Sequence, residues 1–272
     1  MAVGQVSVMK GSESGDIRLD IDDRIARVTL SHPGRLNAIT VDMWRKLATV
    51  FHNIAAIADV RCVLVCGQGD HFAAGADIRE FPQYRANRSQ VINYHTRILA
   101  PALQAIAACP KPVVAMIRGV CVGGGLEIAS QCDMRIASRK ARFGVPINRL
   151  GFPMAPDEMR GLLALAGPAV TLEILLEGRV FDADEAFAKG LLTRVLDDDA
   201  LEDHVDALVR RLARGAPLAS QINKETVRRL MSGAAPLDAA ETDHFFRYAE
   251  TRDHREGVRA VLSGQKPVFT GE

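Results

Sequence analysis

This sequence has few of the residue types and patterns that indicate specialised classes of protein. Its 272 residues include five cysteines, one tryptophan and three tyrosines, and we find no internal repeat and no low-complexity tract. The cysteines at 62, 66, 109, 121 and 132 form an odd set without the paired spacing of a metal site, so no metal centre is predicted. Cys62 and Cys66 fall on one face of a predicted strand, where the pattern favours buried thiols over a redox or metal pair.

Strong net charge and long apolar runs are also missing. The formal net charge of +1 gives no reason to expect nucleic acid or an anionic membrane as a partner, so any anion must be bound locally. No apolar run approaches the roughly 18 residues that a membrane span needs. The N-terminus lacks the basic-then-apolar pattern of a signal peptide. We therefore expect a cytoplasmic protein without a membrane partner.

What is present indicates an α/β protein with a helical C-terminal part. Hydrophobic residues at 48% and charged residues at 25% are ordinary for a globular protein. Short apolar runs alternate with amphipathic helical patterns through the first two-thirds of the chain, which favours a parallel or mixed sheet with crossover helices. We predict a flexible segment over 1–15, an α/β core over 16–200 and a helical region over 201–272.

Local patterns predict several individual elements. Apolar and polar residues alternate over 17–21 and 25–30, which is the pattern of a hairpin. Thr40 is a good N-cap for the amphipathic helix that follows it. We further expect a helix over Ser89–Ala107, an extended piece over Phe143–Ile147 and a helix break at Gly167-Pro168.

The stretch from Lys111 to Glu127 is the most informative part of the sequence. Val113–Ile117 is a short apolar run of the kind found in strands that are covered on both faces. Gly123, Gly124 and Gly125 then open a helix, and glycines let the backbone come close to a bound group. Because a helix N-terminus directs free N–H groups and a positive dipole end at that group, the stretch predicts a site for an oxyanion.

Two other interpretations of the triple glycine remain open. It could permit close packing of the helix on the sheet, or it could be a dinucleotide-binding loop. A dinucleotide loop requires the spacing Gly-x-Gly-x-x-Gly and an acidic residue at the end of the next strand. Here that strand ends in Ala137-Ser138-Arg139, which disfavours a nucleotide-dependent oxidoreductase.

Several motifs together resemble the crotonase family, the enoyl-CoA hydratases and isomerases. They are Ala74-Gly75-Ala76-Asp77-Ile78, Gly119 through Glu127, Cys132-Asp133 and Ala141-Arg142-Phe143-Gly144. The resemblance extends nearly end to end, and the order and spacing of the motifs are specific although each alone is weak. It implies a fold of stacked ββα units whose C-terminal helices form a homotrimer or hexamer. It also implies an acyl-CoA thioester as substrate, no other cofactor, and a place in fatty acid metabolism.

The same resemblance implies roles for individual residues. The backbone N–H groups of Ala76 and Gly124 would hold the thioester oxygen as it becomes an enolate, and Glu127 would be the acid/base residue. Ala74, Asp77, Ile78 and Gly123 would lie against the substrate. Taken alone, Glu127 could simply complement the helix dipole, and Asp77 could organise its loop through hydrogen bonds of its own side chain.

One position departs from the family pattern. Where a two-glutamate hydratase carries its second carboxylate, this chain has Ile147, which can neither hold a water nor pass a proton. Ordinary hydration is therefore in doubt, since general acid–base help is worth roughly 100- to 10,000-fold in rate. Asp157 and Glu158 are possible accessory carboxylates, although their place at a predicted helix start favours capping.

The sequence thus predicts an enzyme of the enoyl-CoA hydratase/isomerase type that works through a thioester enolate. A single retained carboxylate suits double-bond migration or hydration of an unusual substrate. The alternative is a catalytically impaired protein that binds acyl-CoA without turning it over. Ile147 favours that alternative, whereas Glu127 and the intact oxyanion motifs oppose it.

Overall fold

The computed structural model describes residues 14–272. Most of the segment predicted to be flexible, 1–15, therefore lies outside the described residues. The strands are β1 (Asp16–Asp22), β2 (Ile25–Ser31), β3 (Cys62–Gly67), β4 (Val113–Ile117), β5 (Val120–Val122), β6 (Met134–Ser138), β7 (Arg142–Gly144), β8 (Val180–Asp182) and β9 (Arg194–Leu196).

Helices connect these strands and form the C-terminal third. They are α1 (Val41–Ala56), α2 (Phe81–Tyr84), α3 (Arg88–Asn93), α4 (Ala100–Ala108), α5 (Gly124–Gln131), α6 (Pro156–Glu177), α7 (Ala183–Ala188), α8 (Asp198–Ala213), α9 (Pro217–Met231), α10 (Ala239–Phe246) and α11 (Arg252–Leu262). The predicted α/β core with a helical C-terminal region is confirmed.

The main sheet has six strands in the order β1-β2-β3-β4-β6-β9. Strands β1 and β2 form the predicted antiparallel hairpin, and the remaining neighbours pair in parallel. Parallel neighbours require crossover connections, which α1, α4 and α5 supply on one side of the sheet. Helix α1 begins where it was predicted, because the Thr40 hydroxyl accepts the Met43 N–H at 3.2 Å.

Both faces of the sheet centre are buried, as the apolar pattern of β4 predicted. Val113 and Ala115 pack in the cluster formed with α1 and α4, whereas Val114 and Met116 pack in a second cluster with α8. Cys62 lies in that second cluster. Its thiol is free and buried, and the burial raises its pKa to about 12, which describes a small core side chain rather than a reactive nucleophile.

A second, three-stranded sheet has the order β5-β7-β8 and fixes the position of the site. The sequence did not reveal β5 or β8, because three residues are too few to show an alternating pattern. Ala73, in the loop after β3, forms an isolated parallel bridge with Cys121 of β5. This bridge brings the motif that begins at Ala74 alongside the glycines that follow β5.

Two segments differ locally from the predicted pattern. The helix expected over Ser89–Ala107 is divided into α3, a π-helical segment over Tyr94–Leu99, and α4. Pro101 in the first turn of α4 has no N–H to donate to the preceding turn, which gives the local change a physical cause. The piece expected to be extended over Phe143–Ile147 ends at Gly144, and Pro146–Leu150 forms a 3₁₀ helix.

Helix α6 is long and strongly apolar. By length and composition it could cross a membrane, since its mean hydropathy is 1.5. This differs from the sequence prediction that no apolar run is long enough for a membrane span. However, Gly167 has non-helical angles (φ 70°, ψ 175°) and is followed by Pro168, so the predicted break divides the helix. A membrane span needs about 20 continuous residues, so this helix is weak support for a span.

The C-terminal region begins with α8, which packs on the main sheet through Leu201 and Val205. Further along, two contacts tie the last helices and the C-terminal segment to the core. Lys224 of α9 donates to the Lys111 carbonyl at 2.6 Å, and the Arg61 guanidinium donates to the Phe269 carbonyl at 2.8 Å. The predicted boundary between 200 and 201 stays a prediction.

Candidate active site

The first part of the site is a close approach between two backbone segments. Gly123 has φ 51° and ψ −121°, a conformation that residues with a side chain rarely adopt, and it turns the chain from β5 into α5. A Cβ atom placed on Gly75 would lie 3.2 Å from the Gly124 nitrogen. The motif from Ala74 and the glycine turn therefore lie within van der Waals contact, as the paired motifs predicted.

This approach leaves two N–H groups available. A Cβ atom on Gly124 would lie 3.4 Å from the Ala76 nitrogen, so the two nitrogens are neighbours. Within residues 14–272, neither the Ala76 nor the Gly124 N–H donates a hydrogen bond to another protein group, whereas the flanking Asp77 and Gly123 N–H groups are both engaged. Free backbone donors beside a cavity are the arrangement that binds an oxyanion.

These two donors border a cavity of about 100 Å³, roughly the space of three water molecules in the liquid. The residues that line it are Ala74, Gly75, Ala76, Ile78, Phe81, Arg85, His95, Leu99, Val122, Gly123, Gly124, Glu127, Pro146, Ile147, Leu150, Phe152 and Glu158. Seven of the nine predicted site residues are among them. The other two, Asp77 and Asp157, are not.

Glu127 is held in the first turn of α5 and is 6% exposed. Its Oε2 atom is buried without a hydrogen-bond partner. Burial raises the pKa of this carboxyl well above its usual range, the nearby Glu158 carboxyl raises it further, and the Arg85 guanidinium opposes both effects. This carboxyl therefore holds its proton to a higher pH than an exposed glutamate does, which suits a proton donor at the cavity wall.

Glu158 faces Glu127 across the cavity and is 3% exposed. Its Oε1 atom lies 2.5 Å from Nδ1 of His95, which extends from the π-helical segment, so the two side chains share a hydrogen bond. The predicted capping role does not describe this side chain, because α6 has no side-chain cap. A carboxyl that is buried, bonded to a histidine and adjacent to a cavity has the setting of a functional group.

Asp157 points elsewhere although it is the next residue. Successive residues on a helix point about 100° apart, so Glu158 and Asp157 cannot face the same cavity. The Asp157 carboxylate accepts from the Arg160 guanidinium at 2.9 Å, and its side chain is 41% exposed. Of the two possible accessory carboxylates, the structure brings Glu158 alone to the cavity.

Asp77 organises the loop that carries Ala76. Its carboxylate accepts the Arg79 backbone N–H at 3.1 Å and forms an ion pair with the Arg79 guanidinium, which holds its pKa below the usual range. A short 3₁₀ helix, Ile78–Glu80, follows Asp77. The Glu80 carboxylate at its end accepts the Val41 N–H at 2.7 Å. These bonds tie the loop to α1 and fix the direction of the Ala76 N–H.

Ile147 lines the cavity at the start of the 3₁₀ helix, at the place where the resemblance implied a second glutamate. Within residues 14–272 no three His, Cys, Asp or Glu side chains are grouped as a metal site would require. The cavity therefore has two carboxyls, from Glu127 and Glu158, and Glu158 does not come from the position of the second glutamate in a two-glutamate hydratase.

Sequence reasoning missed the two other polar side chains of the cavity, His95 and Arg85, along with several of its apolar residues. Both come from the segment between the two motifs, and neither belongs to a recognisable pattern. The Arg85 guanidinium carbon lies 3.8 Å from the centre of the Tyr94 ring and 4.0 Å from that of Phe81. In the sequence, the only indication was that Arg85 lies near several aromatic residues. That pattern does not show whether its side chain points into the cavity.

Comparison with known proteins agrees with this geometry. The enoyl-CoA hydratase/isomerase family model matches residues 20–272. The chain is 28% identical over 258 residues to a short-chain-enoyl-CoA hydratase of Clostridium acetobutylicum, which covers 93% of this chain and 97% of that protein. It is 27% identical over 264 residues to the (E)-benzylidenesuccinyl-CoA hydratase of Thauera aromatica, covering 94% of this chain and 99% of the relative.

A solved structure gives the same result for the fold. An enoyl-CoA hydratase/carnithine racemase from Magnetospirillum magneticum superposes with a TM-score of 0.91 and 46% sequence identity, covering 94% of this chain and 96% of that one. The predicted crotonase-like fold and the hydratase/isomerase type of enzyme are confirmed by these similarities. The chain belongs to the enoyl-CoA hydratase/isomerase family.

Proposed function

We propose that this protein adds water to a short 2-enoyl-CoA, with Glu158 supplying the carboxylate that Ile147 cannot. The observation that supports the proposal is that Glu127 and Glu158 line one cavity together with the free Ala76 and Gly124 N–H groups. Hydration of a conjugated thioester needs one group that deprotonates water and one that protonates the α-carbon. The cavity offers a carboxyl for each task.

The different settings of the two carboxyls assign their roles. Glu158, held by His95, takes a proton from water while the water oxygen bonds to the β-carbon. The double-bond electrons move to the thioester oxygen, which becomes an enolate oxygen held by the Ala76 and Gly124 N–H groups. Glu127, protonated in its buried position, then gives its proton to the α-carbon. A proton returns from Glu158 to Glu127 through water or solvent, which restores the starting state.

The oxyanion donors contribute through their fixed positions. Backbone amides that already point at the developing charge do not have to reorganise during the reaction. The small residues Ala74 and Gly123 beside them leave room for the thioester to approach. Loss of one such donor typically costs on the order of 3 kcal/mol in the transition state. The proposal uses no cofactor other than the coenzyme A thioester itself.

Mass spectrometry of a short trans-2-enoyl-CoA incubated with the protein in H₂¹⁸O and in D₂O tests the proposal. We expect the wild type to incorporate the oxygen label. The rate of water addition should fall at least about 100-fold in Glu158→Gln and stay near the wild-type rate in Asp157→Asn. The Asp157 variant is the matched control, because its neighbouring carboxylate points away from the cavity.

Other outcomes separate the alternatives. Exchange of α- or γ-protons without water addition would indicate an isomerase with Glu127 as its acid/base residue. Neither change, with binding shown by calorimetry, would favour the acyl-CoA-binding alternative, in which Ile147 marks a loss of catalysis. Full activity of Glu158→Gln would remove Glu158 from the mechanism.

A further inference from the structure

The cavity contains a positive charge that the proposed reaction does not use. Arg85 lines the cavity wall, and its Nε atom is buried without a hydrogen-bond partner. In the described part of the chain, no carboxylate oxygen lies within 4.0 Å of its guanidinium nitrogens. Because a buried charge is costly unless it is paired, a partly buried arginine without a carboxylate partner has capacity for a ligand.

Aromatic rings hold this guanidinium in place. Its central carbon lies 3.8 Å from the centre of the Tyr94 ring, 4.0 Å from that of Phe81 and 5.5 Å from that of Phe152. Cation–π contacts of this kind offset part of the desolvation cost, but ring faces do not accept the in-plane N–H donors of the guanidinium. The edge of the group therefore keeps its capacity for a planar acceptor.

The carboxyls of the cavity do not fill this role. Glu158 is engaged with His95, and within residues 14–272 no oxygen of Glu127 lies within 4.0 Å of the Arg85 guanidinium nitrogens. The cavity wall also includes the apolar side chains of Ile78, Leu99 and Leu150. Such side chains suit the carbon chain of an acyl group. A purely apolar chain, however, would offer the Arg85 guanidinium no hydrogen-bond acceptor.

We infer that Arg85 is a specificity residue that binds a carboxylate on the acyl group, so that the preferred substrates are short acyl-CoA thioesters of dicarboxylic acids. The guanidinium fork matches a carboxylate with two parallel N–H···O bonds. The inference rests on the proposed function, since it requires the acyl group to occupy this cavity. The cavity is small, about 100 Å³, which suits a short acyl chain.

Binding of two saturated thioesters tests the inference without turnover. Glutaryl-CoA and pentanoyl-CoA have acyl chains of equal carbon number, and they differ in a terminal carboxylate or methyl group. By titration calorimetry we expect the wild type to bind glutaryl-CoA at least about tenfold more tightly, since the carboxylate forms a charge-assisted bidentate pair with a partly buried cation that has no carboxylate partner. In Arg85→Met we expect this preference to fall to within about twofold while the affinity for pentanoyl-CoA changes little.

Two further variants complete the experiment. Arg88→Met removes an exposed arginine three residues away, and it should keep the wild-type preference. Arg85→Lys keeps the charge without the planar fork and should give an intermediate preference. The ratio of the wild-type affinities for glutaryl-CoA and pentanoyl-CoA tests the inference even if Arg85→Met fails to fold.

Each negative outcome has a distinct meaning. Equal wild-type affinities for the two thioesters, or a preference that survives in Arg85→Met, would overturn the carboxylate subsite and leave the proposed hydration intact. Failure of both thioesters to bind would remove the acyl-CoA site itself, and the proposed function together with the subsite.

Discussion

Glu127 shows how one side chain acquires a role from its surroundings. In the sequence it is an acidic residue in the first turn of a helix, where a carboxylate commonly complements the dipole. In the structure its Oε2 atom is buried without a partner, and burial raises the pKa of its carboxyl well above the usual range. The same side chain thus costs stability when it ionises, and in the proposed reaction it gives a proton to the α-carbon, so both properties can be measured in one variant.

Glu127→Gln should abolish turnover while leaving acyl-CoA affinity within a few-fold. The amide has nearly the same shape as the protonated carboxyl but no acidic proton, so the loss falls on the reaction rather than on ground-state binding. We expect kcat to fall at least about 100-fold in steady-state kinetics, with Kd followed by calorimetry. Activity near the wild-type level in this variant would exclude Glu127 from the chemistry.

The same variant should change how stability depends on pH. Because the folded-state pKa of Glu127 is raised, the folded protein binds a proton that the unfolded chain releases above about pH 4.3. The wild type therefore loses stability as the pH rises from there through the folded-state pKa, while Glu127→Gln lacks this loss. Glu158 and Arg85 face the same carboxyl and remain in both proteins.

Urea unfolding of both proteins between pH 5 and pH 9 measures the difference. We expect Glu127→Gln to be more stable than the wild type at pH 8, with a difference that shrinks toward pH 5. A difference that stays constant over this range would mean that the carboxyl is not buried in its neutral form.

At the scale of elements, the site is formed where two loops meet a helix start. The Ala73–Cys121 bridge aligns the loop after β3 with β5, and Gly123 then turns the chain into α5. The Asp77 and Glu80 bonds hold the other loop against α1. The Ala76 and Gly124 N–H groups, which are the proposed oxyanion donors, are therefore fixed by backbone geometry rather than by their own side chains.

Two replacements of Gly124 distinguish the effect of losing its N–H group from the effect of adding a side chain. Proline fits the first helical position, so Gly124→Pro removes the donor without breaking α5. A Cβ atom at this position would lie 2.9 Å from Cζ2 of Trp44, so any substitution also disturbs the packing. Gly124→Ala is the matched control, because it adds the Cβ atom and keeps the N–H.

We expect kcat to be about 100- to 1,000-fold lower in Gly124→Pro than in Gly124→Ala, the usual cost of one oxyanion donor. Single-turnover kinetics would separate this loss from changes in binding. Equal rates in the two variants would show that the Gly124 N–H does not contact the thioester oxygen.

At the scale of the whole molecule, the C-terminal helices carry apolar side chains that this chain leaves uncovered. Val261 is 80% exposed and Leu262 83% exposed at the end of α11, and Val268 beyond it is 74% exposed. Contiguous exposed apolar residues commonly mark an interface between subunits. This surface supports the prediction of a homotrimer or hexamer, which stays a prediction, as do the cytoplasmic location and the place in fatty acid metabolism.

Sedimentation of the protein tests the predicted assembly. We expect a species of about three or six times the chain mass of 29.5 kDa, and a smaller species for the double variant Val261→Asp, Leu262→Asp. Circular dichroism would check that the variant remains folded. A wild type that sediments at the mass of one chain would contradict the prediction.

The sequence by itself determined the family and the α/β core, and it predicted the two oxyanion motifs and Glu127 as the site, because these depend on backbone patterns and on residues close together in the chain. It also determined that Ile147 removes a carboxylate. Only the tertiary structure decided that Glu158 rather than Asp157 faces Glu127, and that His95 and Arg85 share the cavity. Those side chains meet through the packing of the π-helical segment, α6 and the loop before α3. No local pattern records which way a side chain points when its partners are distant in sequence.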